Sequence, residues 1–494
     1  MIRQMGRGLA AMVLCGLLAG PLAAAEQGIV MGMVLEPPHL DPTAGAAAAI
    51  DEVVYANVFE GLTRIDRDGA VQPALAESWA VSDDGLTYRF NLHDGVTFHD
   101  GTPLTAADVV FSLERARADD SVNAQKALFE PIESVAADGD DSVVVTLKRP
   151  TGGFLFNLGW GDAVIVSPQT AADNKSTPIG TGPFKFRRWV KGDRVELERY
   201  DGHWAPPAKL PEATFKFISD PAAAAAAMLA GDVDAFANFP APETLAQFEA
   251  DPRFKVVIGS TEGETILATN NARPPFDDIR VRRAMAHALD RDAVILGAMF
   301  GYGTPIGSHF APHHPAYVDL TGRYPHDLDA ARALLAEAGY PDGFEATLKL
   351  PPPSYARRGG EIVAADLAKI GIRLELIPVE WAQWLEQVFT NKDYDLTIVS
   401  HTEPMDIGIY ARDDYYFNYN NPAFKALMAG LAAETDEAGR YEILGEAQRM
   451  LAEDAVNGFI FQLAKHGVWN AKLGGLWENS PVQANDLTEV EWTE

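Results

Sequence analysis

The stretch from Phe344 to His401 constrains the fold more tightly than any other. Phe344 to Leu350 is a strand-like run, and Arg358 to Ile370 has helical spacing stopped by Gly371. Ile372 to Val379 alternates apolar with polar, a short helix opens at Trp381, and a final strand runs from Tyr394 to Ser400. Strand, helix, strand, helix, strand in this order closes as a parallel α/β unit with right-handed crossovers. In such sheets the binding crevice lies beyond the carboxyl ends of the strands. Three loops thereby become candidates: Pro351 to Arg358, Glu380 to Trp384, and Ser400 to Tyr410.

A second stretch, Ala76 to Arg117, reads as a self-contained scaffold. Thr87, Tyr88, Phe90 and Leu92 form a hairpin arm after the Asp83-Asp84-Gly85 turn. A second strand should end in His99-Asp100-Gly101. Thr105 then caps a helix with Asp108 at its third position, ahead of Val109, Val110, Phe111 and Leu113. No catalytic group emerges from it.

The motifs Leu75-Ala76-Glu77-Ser78-Trp79, Asp84-Gly85-Leu86-Thr87-Tyr88, the His99-Asp100-Gly101 turn and Ala107-Asp108-Val109-Val110-Phe111 stand in order. They resemble the signature of the extracytoplasmic peptide/nickel solute-binding proteins, the receptor components of ABC importers. Ile179 to Phe184, Tyr200 to Trp204, Ile279 to Ala284 and Ala331 to Gly339 extend the resemblance over nearly the whole exported chain. The resemblance implies an α/β, two-lobed periplasmic binding protein fold of the three-domain, peptide-binding type, with a scaffold subdomain inserted in the first lobe. The expected division is 26–69, 174–269 and 470–494 for lobe I, 70–173 for the scaffold and 270–469 for lobe II.

Met1 to Ala25 carries Arg3 and Arg7, an apolar run from Leu9 to Leu22 and three small residues, which is the pattern of a secretory signal peptide. Cleavage after Ala25 is expected, followed by residence in the periplasm. Cys15 is the only cysteine, so the exported chain has no disulfide and no thiol chemistry. The formal charge of −30 repels phosphate backbones and argues against a nucleic-acid partner.

Elsewhere, Asp220-Pro221 opens a helix of six alanines that Gly231 closes. The first interlobe crossing is expected around Thr269 to Pro275, with hinges near Thr269 to Asn271 and Val468 to Ala471. In the following helix Val281, Ala284, Met285, Ala288 and Leu289 form one stripe, which leaves Arg280, Arg282 and Arg283 mostly towards solvent. His309, His313 and His314 are the densest histidine group, and neutral imidazoles can hold nickel, copper or zinc. The flanking Pro312 and Pro315 point instead to an exposed loop, and no metal site is assigned.

No G-x-S-x-G elbow, Walker loop, H-E-x-x-H or C-x-x-C motif is present, so no catalytic residue and no cofactor is expected. The candidate ligand-binding residues lie mainly in the three loops. Arg357 and Arg358 can fork a carboxylate, Glu403 and Asp406 can hold an ammonium group, and Trp381 and Trp384 can form flat walls. Glu36, Thr402 and Tyr410 complete the set. In dipeptide- and oligopeptide-binding relatives an aspartate after the equivalent of the Tyr394 strand holds the ligand amine, which implies Asp406 or Glu403 here.

The expectation is a non-catalytic, monomeric receptor that captures a peptide-like zwitterion and delivers it to ABC permease subunits in the inner membrane. An oligosaccharide or nickel-chelate receptor of the same family, a secreted hydrolase and a periplasmic chaperone stand as alternatives.

Overall fold

The computed structural model describes residues 27–493 apart from 46, 404 and 435. The expected signal peptide and its cleavage site lie outside the described residues. One long mixed sheet runs through the molecule in the order 372–378, 344–350, 396–401, 254–269, 458–470, 235–236, 29–33, 212–217, 194–199, 184–190. Its two ends are the two lobes.

The lobe II end matches the strand–helix–strand reading. Strand 344–350 pairs in parallel with 372–378 on one side and with 396–401 on the other. Helix Ser354–Ala368 packs on the face where Val363 and Leu367 bury against Leu348 and Leu396. The opposite face carries Trp384, Tyr394, Tyr416 and Phe459, enclosed by helices Pro422–Ala433 and Glu437–Glu453. The lobe I end pairs 29–33 in parallel with 212–217 and 235–236, over a core that includes Met31, Val53, Phe59 and Phe215. The alanine helix forms as expected, with the Asp220 carboxylate accepting from Ala223 N–H and Gly231 closing it in the left-handed region at φ 79°.

The scaffold has its own four-stranded antiparallel sheet, 76–81, 87–92, 142–147 and 132–137, and its own core around Phe90, Leu113, Phe129 and Val145. Thr105 and Asp108 make the expected capping box. The strand expected to end at His99 is only a single bridge between Thr97 and Pro103. There Tyr200 Oη bonds the Thr97 hydroxyl and donates to Phe98 C=O, and His99 reaches the Gly182 carbonyl, so this segment ties the scaffold to lobe I.

Two strands, 254–269 and 458–470, span both lobes. Residues 254–260 pair with 464–470, residues 264–267 pair with 458–462, and residues 264–269 pair with 396–401 of lobe II. The register slips between Ser260 and Glu264. The change of neighbours therefore falls about 261–263 and 463, inside the strands, rather than at Thr269 to Asn271 or Val468 to Ala471. The positions Thr269 and Val468 to Asn470 lie at the ends of the two strands. Asn and Pro residues mark where a strand stops, whereas a strand can change sheet neighbours through a bulge without any such residue.

Arg282 also differs from expectation. It is 9% exposed, and its guanidinium donates to the carbonyls of Phe276, Asp454 and Ala455, tying the helix start to the end of helix Glu437–Glu453. A long basic side chain on a helix flank can fold under its own helix and cap a neighbouring one.

Candidate functional site

Between the lobes, Asp51 on helix Ala48–Val54, Asp162 on the short 161–163 helix and Glu403 after strand 396–401 turn towards one another. The helix places Asp51 directly over Gly161, where a Cβ would lie 2.0 Å from Asp51 Oδ1. Asp51 Oδ1 and Asp162 Oδ1 are buried with no hydrogen-bond partner. Glu403 keeps 24% of its side-chain surface accessible. Burial pushes the Asp162 carboxyl up to about 8 and Glu403 up to about 7, while Asp51 is raised by burial and by repulsion from Asp162 and Glu403. Acidic side chains from the two sides of the cleft thus lie close enough to disfavour one another's ionised forms.

Arg412 supplies the positive charge. It offsets part of the burial that raises Asp162 and Glu403, and its guanidinium donates to the Gln125 side-chain carbonyl of the scaffold at 2.9 Å. Thr402 Oγ1 accepts from Gln483 of the C-terminal tail at 3.1 Å, a second tie between the lobes.

Of the expected residues, the structure brings Thr402, Glu403, Asp406 and Tyr410 together. Asp406 faces inward: its Oδ1 lies 2.6 Å from His309 Nε2, and His309 Nδ1 meets Tyr410 Oη at 3.2 Å. Glu403 is the more exposed of the two, with 24% of its side-chain surface accessible against 5% for Asp406. Arg357 bonds Glu380 and the Val379 carbonyl, with its Nε buried and unpartnered. Arg358 is forked onto Glu243. Trp381 and Trp384 stack at 4.9 Å, and Trp384 donates to the Thr397 hydroxyl inside the core, so one ring backs the other. Glu36 lies apart, accepting from Trp189 Nε1 and Gly192 N in a lobe I loop.

The three histidines do not form an exposed group. His309 is fully buried, His313 bonds Glu262, and His314 stacks on Phe310 at 4.3 Å. Prolines 312 and 315 shape the turn but do not decide which ring points inward. Asp51, Asp162 and Arg412 escaped sequence reasoning because each lies far from the other two along the chain, Asp51 and Asp162 in largely apolar surroundings; Trp160-Gly161-Asp162 was the one local irregularity that could have drawn notice.

A cavity of about 620 Å³ elsewhere on lobe I is lined by residues that include Glu60, Arg67 and His203. Within it Glu60 accepts from Thr181 and Trp204, and Arg67 pairs with Glu489.

The model for the middle region of the bacterial extracellular solute-binding proteins, family 5, matches residues 70–423. The chain belongs to this family. The glutathione-binding protein GsiB of Pectobacterium atrosepticum is 32% identical over 391 residues, covering 77% of this chain and 74% of that one. The oligopeptide-binding protein AppA of Bacillus subtilis, solved with a nonapeptide, matches with TM-score 0.88 at 26% identity over 95% of this chain and 100% of that one. AgaA from A.tumefacien R10, solved with agropinic acid, matches with TM-score 0.86 at 26% identity over 94% and 99%. This family 5 chain is a substrate-binding protein of the ABC-importer type, with the two-lobed fold and scaffold of its peptide-binding members. These relatives are binding proteins. Among the described residues no helix is long and apolar enough to cross a membrane.

Proposed function

We propose that the exported chain, starting at Glu26, is a monomeric periplasmic receptor that closes on a small ligand bearing a free ammonium group and delivers it to inner-membrane ABC permease subunits without chemically altering it. The observation that carries this is the meeting of Asp51 and Asp162, each with a buried Oδ1 that has no partner, with Glu403 from the other side of the cleft. Bringing these acidic side chains together out of water penalises their ionised forms, and a cation bound among them restores the ionised forms by pairing with them. An ammonium group donates three hydrogen bonds and is such a cation. Arg412 stands where a ligand carboxylate can replace Gln125 as its partner, which favours a peptide-like zwitterion. GsiB, AppA and AgaA, named for glutathione, oligopeptides and agropinic acid, are consistent with small ligands of this kind. A neutral oligosaccharide would leave the three carboxylates unanswered.

The proposed lobe I is 26–69, 174 to about 260 and from about 464 to the end, with the scaffold 70–173 set into it; lobe II takes the remainder. Closure then bends the two long strands at 261–263 and 463, where the ladder is already interrupted. Mass spectrometry of the ligand that co-purifies with the exported protein tests the ligand class. A primary or secondary amine is expected. A neutral sugar would overturn the amine reading, and turnover of peptides or glycosides by the pure protein would overturn the receptor reading.

A further inference from the structure

Behind the ligand carboxylates, four elements of lobe II bring a second cluster together. We propose that Glu264, His309 and Asp406, with His401 Nδ1 as the fourth donor, bind a resident divalent cation of the zinc type. One ligand atom from each of Glu264, His309 and Asp406 lies within 4.8 Å of the others, and the same holds for His401, Glu403 and Asp406. Asp406 belongs to both groups, with Oδ1 2.6 Å from His309 Nε2 and Oδ2 3.8 Å from His401 Nδ1. Glu264, His309 and Asp406 supply three donors within reach of one ion, and His401 Nδ1 approaches from the side of the other Asp406 oxygen, the number of ligands a four-coordinate site takes.

The orientation of the two rings is the stronger argument. Tyr410 Oη holds His309 by its Nδ1 at 3.2 Å, and Tyr416 Oη holds His401 by its Nε2 at 2.8 Å. Each imidazole is thus fixed through the nitrogen that points away and offers the other nitrogen to Asp406. Holding the outer nitrogen is how a protein sets the tautomer and direction of a metal-binding histidine. His401 Nδ1 has only Glu403 at 3.9 Å and Asp406 at 3.8 Å, both beyond hydrogen-bond range.

Glu264 gives the independent observation. It is 3% exposed, and its Oε2 is buried with no partner. A His309–Asp406 hydrogen bond by itself would satisfy those two side chains and leave Glu264 stranded beside Asp406 and Glu262, all acidic. A divalent cation offsets these charges at one point. Two imidazoles with two carboxylates suit zinc, nickel or cobalt rather than calcium or magnesium, which favour all-oxygen shells. On binding, the cation takes the place of the proton between His309 Nε2 and Asp406 Oδ1, and the ring proton sits on Nδ1 towards Tyr410.

The test uses the full exported chain, freed of organic ligand by partial unfolding and of metal by chelator, then titrated calorimetrically with zinc chloride. One ion per chain is expected, with binding abolished in His309→Gln and in Glu264→Gln, and weakened about 10- to 100-fold in Tyr410→Phe and Tyr416→Phe. Cobalt(II) should give the visible absorption of a four-coordinate site in the parent and not in His309→Gln. Circular dichroism verifies that each variant folds; should His309→Gln fail to fold, Glu264→Gln and the two tyrosine variants decide. The proposal is overturned if the parent binds no zinc, if binding is unchanged in both Glu264→Gln and Tyr416→Phe, or if it is lost only in His313→Gln, which would place the ion at the surface pair His313–Glu262. Glu403→Gln separates this site from the ammonium site: zinc should still bind there when the organic ligand does not.

Discussion

Arg358 donates to both carboxylate oxygens of Glu243, at 3.1 and 2.8 Å, and so fastens lobe II to lobe I across the outer edge of the cleft. Ser354, at the start of the same helix, donates to the Pro240 carbonyl at 3.3 Å. The fork that could have gripped a ligand carboxylate grips the facing lobe instead. Arg358→Ala is expected to shift the open–closed balance towards open by about 0.5 to 1 kcal/mol, the size of a partly exposed ion pair. Small-angle scattering of the ligand-free protein should show a larger radius of gyration in the variant, with little change at saturating ligand.

The ammonium reading places the binding energy on Asp162 and Glu403 rather than on Asp406. Glu403→Ala and Asp162→Ala should each weaken binding of the co-purifying ligand by about 2 to 5 kcal/mol, the usual consequence of stranding one side of a buried charge pair. Arg357→Ala should leave the affinity unchanged. Calorimetry with the three variants checks the ranking.

Stability without ligand should fall as pH rises from 6.5 to 8. In that window the unfolded chain has lost its carboxyl protons, while the folded chain still holds protons on Asp162, raised to about 8, and on Glu52 and Glu403, raised to about 7. The folded state binds more protons, so each step up in pH favours unfolding, by as much as about 1.4 kcal/mol per pH unit for each proton held. Below 6.5 the buried His99, His401 and His466, all lowered to about 4, oppose this trend, because there the unfolded state binds more protons. Above 8 the buried Lys465, lowered to about 8, opposes it from the other side. Melting temperatures across pH 6.5 to 8 should show the decline, and Asp162→Asn should flatten it.

The Gly180-Thr181-Gly182 turn is needed for close approach. A Cβ on Gly180 would lie 2.0 Å from the Val58 carbonyl oxygen, and one on Gly182 would lie 2.5 Å from that of Asn57. These same carbonyls accept from Gly182 N and Phe184 N. Gly182→Ala must push the two backbones apart and is expected to lower stability by about 1 to 3 kcal/mol, as overpacked sites do. Chemical denaturation measures it.

Strand and helix signals were legible wherever local physics decides. The strands of the 344–401 unit, the Thr105–Asp108 capping box, the Asp220-Pro221 helix start and its Gly231 stop depend on residues within a few positions of one another and formed as read, while the helix expected from Arg358 to Ile370 starts a turn earlier, at Ser354–Ala368. The loops beyond the strand ends were legible too, since parallel topology dictates where crevices fall, and Glu403 lies in one of them.

The partners of those loops were not legible. Glu403 meets Asp51 and Asp162, residues more than two hundred positions away, and Arg358 meets Glu243 across the cleft. His309 looked like one of three histidines in a proline-flanked loop, yet it is the one ring turned into lobe II onto Asp406. The sequence by itself determined the elements, their order and the family, because hydrogen-bond periodicity and turn chemistry are local. Only the tertiary structure decided which charges face one another and where the long strands change neighbours. The energy of a charge is set by its distance to other charges and to water, and neither distance exists until the chain has folded.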